Sequence, residues 1–393
     1  MAEKGYLMTP GPTPIPRAVQ EAMAKPIVYH RGLEFRELLG RVLPRLKEVF
    51  RTANEVAMLT GSGTAAMESA VANLCSPGDR VAVVSAGNFG ERWAAIARSY
   101  GCDVVHLRYA WGETPDPAEI AAKLAEAGGA RVVYCTHCET STGVVSDVQG
   151  IAEAARGAGA ILVVDAISSL GAVPLEQDEW GIGVVVSGSQ KALMTPPGLA
   201  FASVSAAGLE ASRGASSPRF YLDWERTLRG QAELRPPFTP AVSLVFGLDA
   251  ALELLLADGL ESAWERSRRL GRACRAGVKA MGLELYSPDE DRSSVVTAVK
   301  VPVGADGVGA LRAMRERSGV TAAGGQGELK GEIVRIGHIG DIDLEDVAAA
   351  LAALGTALTE QGVEVDVERG VERAREAHEA SHASAGSRHG PPE

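Results

Sequence analysis

Between about residues 55 and 205, short runs of valine, isoleucine and leucine alternate with longer stretches in which apolar residues recur every three or four positions. The short runs predict strands that are buried on both faces, and the longer stretches predict helices. Strands that alternate with helices favour a mostly parallel sheet covered by helices. We therefore expect an α/β fold, with strands at residues 56–59, 80–85, 104–107, 132–135, 161–164 and 184–186, and helices at residues 64–74, 91–100, 117–127 and 148–157.

The second half of the chain has a different pattern. Helical periodicity covers residues 243–256 and 259–281, and later segments predict strands at 294–301 and 332–336 and helices at 308–318 and 344–358. This mixture predicts a smaller α+β domain over residues 259–360, after a larger domain over residues 21–258. Residues 361–393 are charged and then rich in alanine, serine, histidine and glycine, so we expect them to form a disordered tail.

The composition narrows the possible functions. The chain has 393 residues, of which 46% are hydrophobic, and its formal net charge of -11 disfavours sequence-independent binding of nucleic acids, which requires a basic surface. No apolar stretch approaches the roughly 20 residues that span a bilayer, and the N-terminus lacks the apolar segment of a signal peptide. The five cysteines are an odd and sparse set, which is typical of a reducing compartment. We therefore expect a cytoplasmic protein that binds neither nucleic acids nor membranes.

Lys191 is the strongest candidate for chemistry. It follows the apolar run at residues 184–186 and ends the segment Ser-Gly-Ser-Gln-Lys. The pKa of a lysine is about 10.4 in water, and a poorly hydrated or cation-rich pocket lowers it. A deprotonated lysine attacks carbonyl groups, and such a lysine is the usual anchor of pyridoxal phosphate. A lone lysine in a loop is more often an exposed surface residue, so the neighbouring motifs decide between these interpretations.

A glycine-rich turn, Gly-Ser-Gly-Thr at residues 61–64, joins a predicted strand to a predicted helix. Glycines let the backbone approach an anion closely, and the helix N-terminus offers free N–H groups to a phosphate. Such turns are common, so this motif is weak by itself. It lacks the lysine of a P-loop and the Gly-x-Gly-x-x-Gly spacing, which disfavours a nucleoside triphosphate or a dinucleotide.

Further polar residues follow predicted strands. Asp165 ends the strand at residues 161–164, where its carboxylate could cap a helix or pair with a protonated pyridine nitrogen. Phe89 could stack on a cofactor or belong to the core, and hydroxyl groups cluster in Thr-His-Cys-Glu-Thr-Ser-Thr-Gly at residues 136–143. Arg335, in a strand of the smaller domain, could bind a carboxylate or face solvent. Ligands bind beyond the carboxyl ends of parallel strands, so these residues together predict a cofactor site.

Taken in order, these motifs resemble those of the class V, fold-type I aminotransferases that use pyridoxal phosphate, and most of all the alanine–glyoxylate and serine–pyruvate or serine–glyoxylate group. The resemblance covers about residues 6–358. It rests on Thr-Pro-Gly-Pro-Thr-Pro at residues 9–14, Gly-Ser-Gly-Thr at 61–64, the hydroxyl-rich run at 136–143, Val-Asp-Ala at 164–166, Ser-Gly-Ser-Gln-Lys-Ala-Leu at 187–193, Phe-Thr-Pro at 238–240 and Arg-Ile-Gly at 335–337.

The resemblance implies a seven-stranded sheet in the larger domain and a homodimer with shared active sites, where residues 1–20 cross the active-site region. It also implies transfer of an amino group from alanine or serine to glyoxylate or pyruvate. Lys191 would form a Schiff base with pyridoxal 5'-phosphate and move the substrate proton, Asp165 would pair with the pyridine nitrogen, and Arg335 would bind the substrate carboxylate. The other implied contacts are Ser62, Gly63, Thr64 and Gln190 at the phosphate, Phe89 on the ring, Thr140 and Ser141 near the ring hydroxyl, and Thr239 at the phosphate of the other subunit's cofactor.

Two positions depart from the family's pattern, and other functions stay open. Phe89 stands where the animal enzymes often have tryptophan, and Arg-Pro-Pro-Phe before Thr239 lacks their phosphate-contacting tyrosine. An aspartate or aminophosphonate transaminase, or a non-catalytic partner subunit, would share these motifs. A cysteine desulfurase fits poorly, because Cys274 is the only cysteine after Lys191 and lies in a helical pattern. Cys135-x-x-Cys138 lacks a second pair of ligands, so we expect no metal site.

Overall fold

A computed structural model describes residues 5–287 and 295–386 of the chain. Within these residues the strands are β1 (Tyr6–Leu7), β2 (Glu55–Gly61), β3 (Arg80–Ser85), β4 (Asp103–Arg108), β5 (Val132–Thr136), β6 (Cys138–Glu139), β7 (Val144–Val145), β8 (Ile161–Asp165), β9 (Val184–Gly188), β10 (Gly198–Val204), β11 (Val296–Lys300), β12 (Val320–Thr321), β13 (Ala323–Gly324) and β14 (Ile333–Gly337). The helices are α1 (Arg17–Met23), α2 (Leu33–Phe50), α3 (Gly63–Leu74), α4 (Asn88–Ser99), α5 (Pro117–Glu126), α6 (Val148–Gly157), α7 (Ala206–Arg213), α8 (Trp224–Ala232), α9 (Val242–Leu256), α10 (Leu260–Ala280), α11 (Gly307–Ser318), α12 (Leu344–Thr359) and α13 (Val367–Gly386).

The larger sheet has seven strands in the order β2-β10-β9-β8-β5-β3-β4. Five of them, from β9 to β4, pair in parallel, and β10 pairs antiparallel with both β2 and β9. Along β5, Val133 and Cys135 pack into the core on one face of the sheet, whereas Val132 and Tyr134 pack into the core on the other. Both faces are covered by helices, which explains the continuous apolar runs in the sequence. The predicted mostly parallel α/β fold is confirmed.

A smaller sheet has the antiparallel order β11-β14-β13. A third core lies between this sheet and α10, α11, α12 and α13. The start of the chain also packs here, because β1 pairs with β12 and the N–H of Gly337 donates to the carbonyl of Met8 at 2.7 Å. This course leads residues 9–13 past the end of β14 and toward Lys191. Residue 294, the first of the predicted strand at 294–301, lies outside the described residues.

The predicted disorder of residues 361–393 is wrong for the part of that segment that the structure describes. Helix α13 packs along α10, and Ala374 is fully buried. A Cβ placed on Gly277 of α10 would lie 2.8 Å from the carbonyl oxygen of Gly370 and 3.2 Å from the Cβ of Ala374. The small residues that gave this segment its low hydrophobicity therefore let the two helices approach closely. Residues 387–393 lie outside the described residues.

We find no helix within residues 5–287 and 295–386 that combines the length and the apolar character needed to cross a membrane.

Candidate active site

The amine of Lys191 is buried under the N-terminal segment. Lys191 lies three residues beyond β9, is 8% exposed, and its Nζ donates to the carbonyl oxygen of Pro10 at 2.8 Å. The hydroxyl of Thr13 donates to the carbonyl of Lys191 at 2.9 Å, and the N–H of Thr13 donates to the carbonyl of Gln190 at 3.2 Å. These bonds hold residues 10–13 directly against the lysine.

Gly11 makes this close approach possible. A Cβ on Gly11 would lie 2.3, 2.4 and 2.5 Å from Cδ, Cε and Nζ of Lys191, and the φ angle of Gly11 is +144°. Both the space and the backbone conformation therefore require glycine.

Asp165 lies beside Lys191 because β8 and β9 are neighbouring parallel strands, with Asp165 opposite Val186. The carboxylate of Asp165 is buried, and its Oδ1 accepts the N–H of Ile167 at 2.9 Å. Burial raises the pKa of Asp165 to about 7, and the hydrogen bond from Ile167 partly opposes this rise. Because the carboxyl ends of parallel strands meet at the same edge of a sheet, the two predicted catalytic residues, Asp165 and Lys191, lie at one edge.

Burial also changes the acidity of the lysine. The pKa of the Lys191 amine is lowered to about 8, chiefly by burial and also by the positive charges of Arg335 and Arg92, while Cys138 and Asp165 oppose the lowering. A lysine with this pKa is partly neutral near pH 7, and the neutral amine is the form that acts as nucleophile and base.

The N-terminus of α3 forms a polar cradle on the same edge. Its N-cap residue Ser62 is exposed and makes no side-chain cap hydrogen bond within the described part of the chain. A Cβ on Gly188 would lie 3.3 Å from the backbone nitrogen of Gly63 and 2.9 Å from Oε1 of Gln190. That Oε1 is buried and has no hydrogen-bond partner among residues 5–287 and 295–386. Open N–H groups at a helix N-terminus suit an anion.

Thr64 and Phe89 are connected through Arg92, which the sequence analysis missed. The Nη1 of Arg92 donates to the hydroxyl of Thr64 at 3.0 Å, and its guanidinium lies 4.7 Å from the centre of the Phe89 ring. Arg92 follows Phe89 by three residues in α4, a spacing that places two side chains on one face of a helix. Phe89 is half-buried, and one face of its ring contacts the guanidinium of Arg92.

Glu139, also missed, organises the hydroxyl-rich run. It is buried, and its carboxylate accepts the N–H of Phe89 at 2.9 Å and of Gly90 at 3.1 Å. The N–H of Ser141 donates to the same carboxylate at 3.2 Å and the hydroxyl of Ser141 donates at 2.5 Å. Glu139 lies three residues after β5, and its signal in the sequence is that it is the one carboxylate in the hydroxyl-rich run at residues 136–143.

Arg335 is buried at the boundary between the two sheets. Its Nη1 donates to the carbonyl of Thr140 at 2.7 Å, and its Nε donates to the carbonyl of Gly324 at 2.8 Å. Burial lowers the pKa of Arg335 to about 10, and the charge of Glu139 opposes that lowering. The solvent-facing alternative for Arg335 is therefore wrong. The side chain of Thr140 is buried next to it.

Thr239 makes no hydrogen bond to the other candidate site residues within the described part of the chain. It is exposed in the loop between α8 and α9, and this loop meets the end of β2, where the N–H of Ala241 donates to the hydroxyl of Thr60 at 3.3 Å. Next to it, the ring of Tyr221 stacks on Phe238 with centres 5.0 Å apart. Tyr221 therefore contributes an aromatic hydroxyl to the loop whose own sequence lacks a tyrosine.

Comparisons with known proteins found a family model, related sequences and related structures that match most of the chain. The family model described as Aminotransferase class-V matches residues 5–326. The L-aspartate–glyoxylate aminotransferase of Paracoccus denitrificans is 34% identical over 98% of this chain and 99% of its own length, and the serine–glyoxylate aminotransferase of Methylorubrum extorquens is 34% identical over 94% and 95%. A Synechococcus protein named as the small subunit of a soluble hydrogenase is 42% identical over 92% and 95%. The crystal structure of ureidoglycine–glyoxylate aminotransferase from Bacillus subtilis matches with a TM-score of 0.92 and 30% identity, covering 96% of this chain and 99% of that one.

Proposed function

Since the chain belongs to the class V aminotransferases, which depend on pyridoxal 5'-phosphate, we propose that it transfers the amino group of alanine or serine to glyoxylate or pyruvate. The observation that supports this most is the buried amine of Lys191, with the carboxylate of Asp165 on the neighbouring strand and the guanidinium of Arg335 close enough to lower its pKa.

The chemistry of the site fits the cofactor. The N-terminus of α3 offers open N–H groups and the amide of Gln190 faces the same cradle, where its NH2 group would donate to an anion, so Ser62, Gly63, Thr64 and Gln190 would hold the phosphate. Asp165 would hold the pyridine nitrogen, Phe89 would cover one ring face, and Thr140 and Ser141 would lie near the ring hydroxyl. When bound, the cofactor supplies an electron-withdrawing ring that stabilises negative charge at the substrate α-carbon.

Lys191 moves the substrate proton in this proposal. Its Nζ takes the proton from the α-carbon of the amino donor. In the second half of the reaction it gives a proton to the α-carbon of the amino acid that forms from the 2-oxo acid. A pKa of about 8 suits this role, because a base works best when its pKa is near the operating pH. The bond from Nζ to Pro10 and the contact with Gly11 orient the amine, and the burial of Lys191 limits access of water.

Arg335 binds the α-carboxylate of the substrate. A guanidinium has five N–H donors, and two of those of Arg335 are fixed on the carbonyls of Thr140 and Gly324. These two bonds set the plane of the group and leave donors for a bidentate contact with a carboxylate. Because Arg335 is buried, this contact is stronger than it would be in water.

The names of relatives support glyoxylate as the acceptor, because the Paracoccus, Methylorubrum and Bacillus enzymes share it. They differ in the amino donor, so aspartate is the competing donor to alanine and serine. A desulfurase function is disfavoured, because Cys274 is buried in α10 and burial raises the pKa of its thiol to about 11. A non-catalytic function would have to explain why the buried amine, carboxylate and guanidinium are all retained.

A donor panel tests the proposal. The purified protein with bound cofactor is mixed with alanine, serine or aspartate, and the absorbance of the Schiff base between cofactor and lysine is followed before and after addition of glyoxylate or pyruvate. We expect alanine or serine to react fastest and glyoxylate to restore the absorbance. A clear preference for aspartate would contradict the proposed donor, and no spectral change with any amino acid would contradict the proposed reaction.

We also propose that two copies of the chain pair and that the protein works in the cytoplasm. Phe220 is 71% exposed and Tyr221 is 43% exposed beside Thr239, and exposed apolar clusters often mark protein interfaces. All five cysteines are buried and unpaired with each other, as expected for a reducing compartment. Sedimentation analysis tests the first point, since a monomer at micromolar concentration would contradict it, and fractionation of the native cell tests the second.

A further inference from the structure

The first turn of α4 is capped entirely by side chains from another part of the chain. The N–H of Asn88 donates to the hydroxyl of Ser141 at 3.0 Å, and those of Phe89 and Gly90 donate to Oε2 of Glu139. The N-cap residue of α4 is Gly87, which has no side chain to do this. The three N–H groups that open the helix are thus all bonded to Glu139, the last residue of β6, and to Ser141 just after it.

Gly87 provides the space for this arrangement. A Cβ on Gly87 would lie 2.5 Å from Cγ of Glu139 and 2.5 Å from the hydroxyl oxygen of Ser141. Its φ angle of 168° is ordinary extended backbone, so other residues could adopt the conformation but would collide with the carboxylate. The close approach of Glu139 therefore depends on the missing side chain.

The hydrogen bonds require Glu139 to be a carboxylate. Three of its four donors are backbone N–H groups, which cannot accept a proton. Burial raises the pKa of Glu139, and these donors oppose the rise because they stabilise the charged form. A glutamine at this position would keep the shape but would direct an NH2 group at one pair of donors.

The capped turn supports the residues that face the cofactor site. Phe89 belongs to that turn, and Arg92, one turn later, contacts the Phe89 ring and donates to the hydroxyl of Thr64. Since that hydroxyl accepts from Arg92, its own proton is available for an anion at the start of α3. At α4, by contrast, Glu139 takes the N–H groups that would otherwise attract an anion, so only α3 of these two helices keeps an open N-terminus.

We propose that Glu139 is a positioning residue for the cofactor: its carboxylate caps α4 from β6 and thereby fixes the ring of Phe89 against the cofactor plane. This inference rests on the proposed function, because it takes the site to hold pyridoxal phosphate. Glu139 itself need not touch the cofactor. Its effect passes through the backbone N–H groups of Phe89 and Gly90.

A double-mutant cycle with Phe89 tests the proposal in the full-length protein. Pyridoxal phosphate is titrated into the cofactor-free wild type, Glu139→Gln, Phe89→Ala and the double variant, and the circular dichroism band of the bound cofactor is recorded. We expect Glu139→Gln to weaken binding about 10- to 100-fold in the wild-type background and to change the dichroism band. In the Phe89→Ala background the same substitution should weaken binding much less, because the ring it positions is gone.

A second variant keeps the test decisive if Glu139→Gln folds poorly. Gly87→Ala leaves the glutamate in place but drives its side chain away, so it should weaken binding similarly and show little additional loss when combined with Glu139→Gln. Asp116→Asn is the matched control, since Asp116 caps α5 through the N–H of Ala118 at 2.9 Å and lies outside the site; it should leave binding unchanged.

The outcomes separate this inference from the proposed function. Wild-type affinity in Glu139→Gln, or an equal loss with and without the Phe89 ring, would overturn the positioning role while leaving the proposed function intact. A wild-type protein that does not bind pyridoxal phosphate would overturn both.

Discussion

We expect the substitution Gly11→Ala to displace the amine of Lys191. The new Cβ would lie 2.3–2.5 Å from the last three atoms of that side chain, compared with about 3.5–4.0 Å for an ordinary carbon contact. The end of a lysine side chain can move, so the clash should be relieved by rotation of Lys191 rather than by a shift of the backbone. The bond from Nζ to Pro10 would then be lost.

The magnitude follows from two contributions. A non-glycine residue at a φ of +144° costs about 1–3 kcal/mol, and the lost hydrogen bond of a charged donor adds about 1.5 kcal/mol. Denaturant unfolding of the cofactor-free protein should therefore show a loss of about 2.5–4.5 kcal/mol. A displacement of the reacting amine by about 1 Å should also slow the capture of added pyridoxal phosphate by about 100-fold.

Two comparisons isolate the contact with Lys191. Gly304 has a φ of +89° with no atom within 4 Å of a Cβ placed on it, so Gly304→Ala should show the backbone cost alone and normal capture of the cofactor. In a Lys191→Ala background, Gly11→Ala should show only the backbone part of its destabilisation, because the side chain that the new Cβ meets is gone. The reasoning is refuted if Gly11→Ala captures the cofactor as fast as Gly304→Ala, or if its destabilisation is the same without Lys191.

Three further predictions concern acidity, packing and the C-terminal helix. The rate at which cofactor-free protein captures pyridoxal phosphate should rise as pH increases to about 8 and level off above about 9, because burial lowers the pKa of Lys191 and only the neutral amine reacts. A capture rate that still rises tenfold per pH unit at pH 9 would contradict this. Trp224→Ala should reduce the free energy of unfolding by about 3–5 kcal/mol in denaturant titrations, since the ring is fully buried and its Nε1 donates to the hydroxyl of Ser69 at 3.0 Å. A loss below about 1 kcal/mol would refute that packing. Removal of all residues after 366 deletes α13 and should lower the melting temperature by several degrees, because it exposes the α10 face that Ala374 covers. An unchanged melting temperature would refute the contact between α10 and α13.

The sequence predicted best the elements whose pattern is local. β3 and α6 have the predicted bounds, because strands buried on both faces and a strongly amphipathic helix leave a clear pattern. β10 was missed: it begins at Gly198, directly after two prolines, and it is the strand that breaks the parallel order. α2 was missed as well, and it contains Pro44, which disfavours a helix locally although the surrounding packing tolerates it.

Within the site, the sequence indicated which residues end the strands, but it did not reveal their partners. Lys191 and Asp165 could be placed together because they follow neighbouring parallel strands. Pro10, which accepts from Lys191, is 181 positions away in the chain, and nothing local indicates that contact. Arg92 and Glu139 were recoverable in principle, one from its helical spacing to Phe89 and the other as the one carboxylate in the hydroxyl-rich run at residues 136–143.

The covalent attachment point of the cofactor tests the central claim most directly. The protein is loaded with pyridoxal phosphate, reduced with borohydride, digested and mapped by mass spectrometry, with Lys191→Ala as the control. We expect the reduced cofactor on Lys191 alone and no labelled peptide from the variant. Label on a different lysine, or an equally labelled variant, would contradict the account.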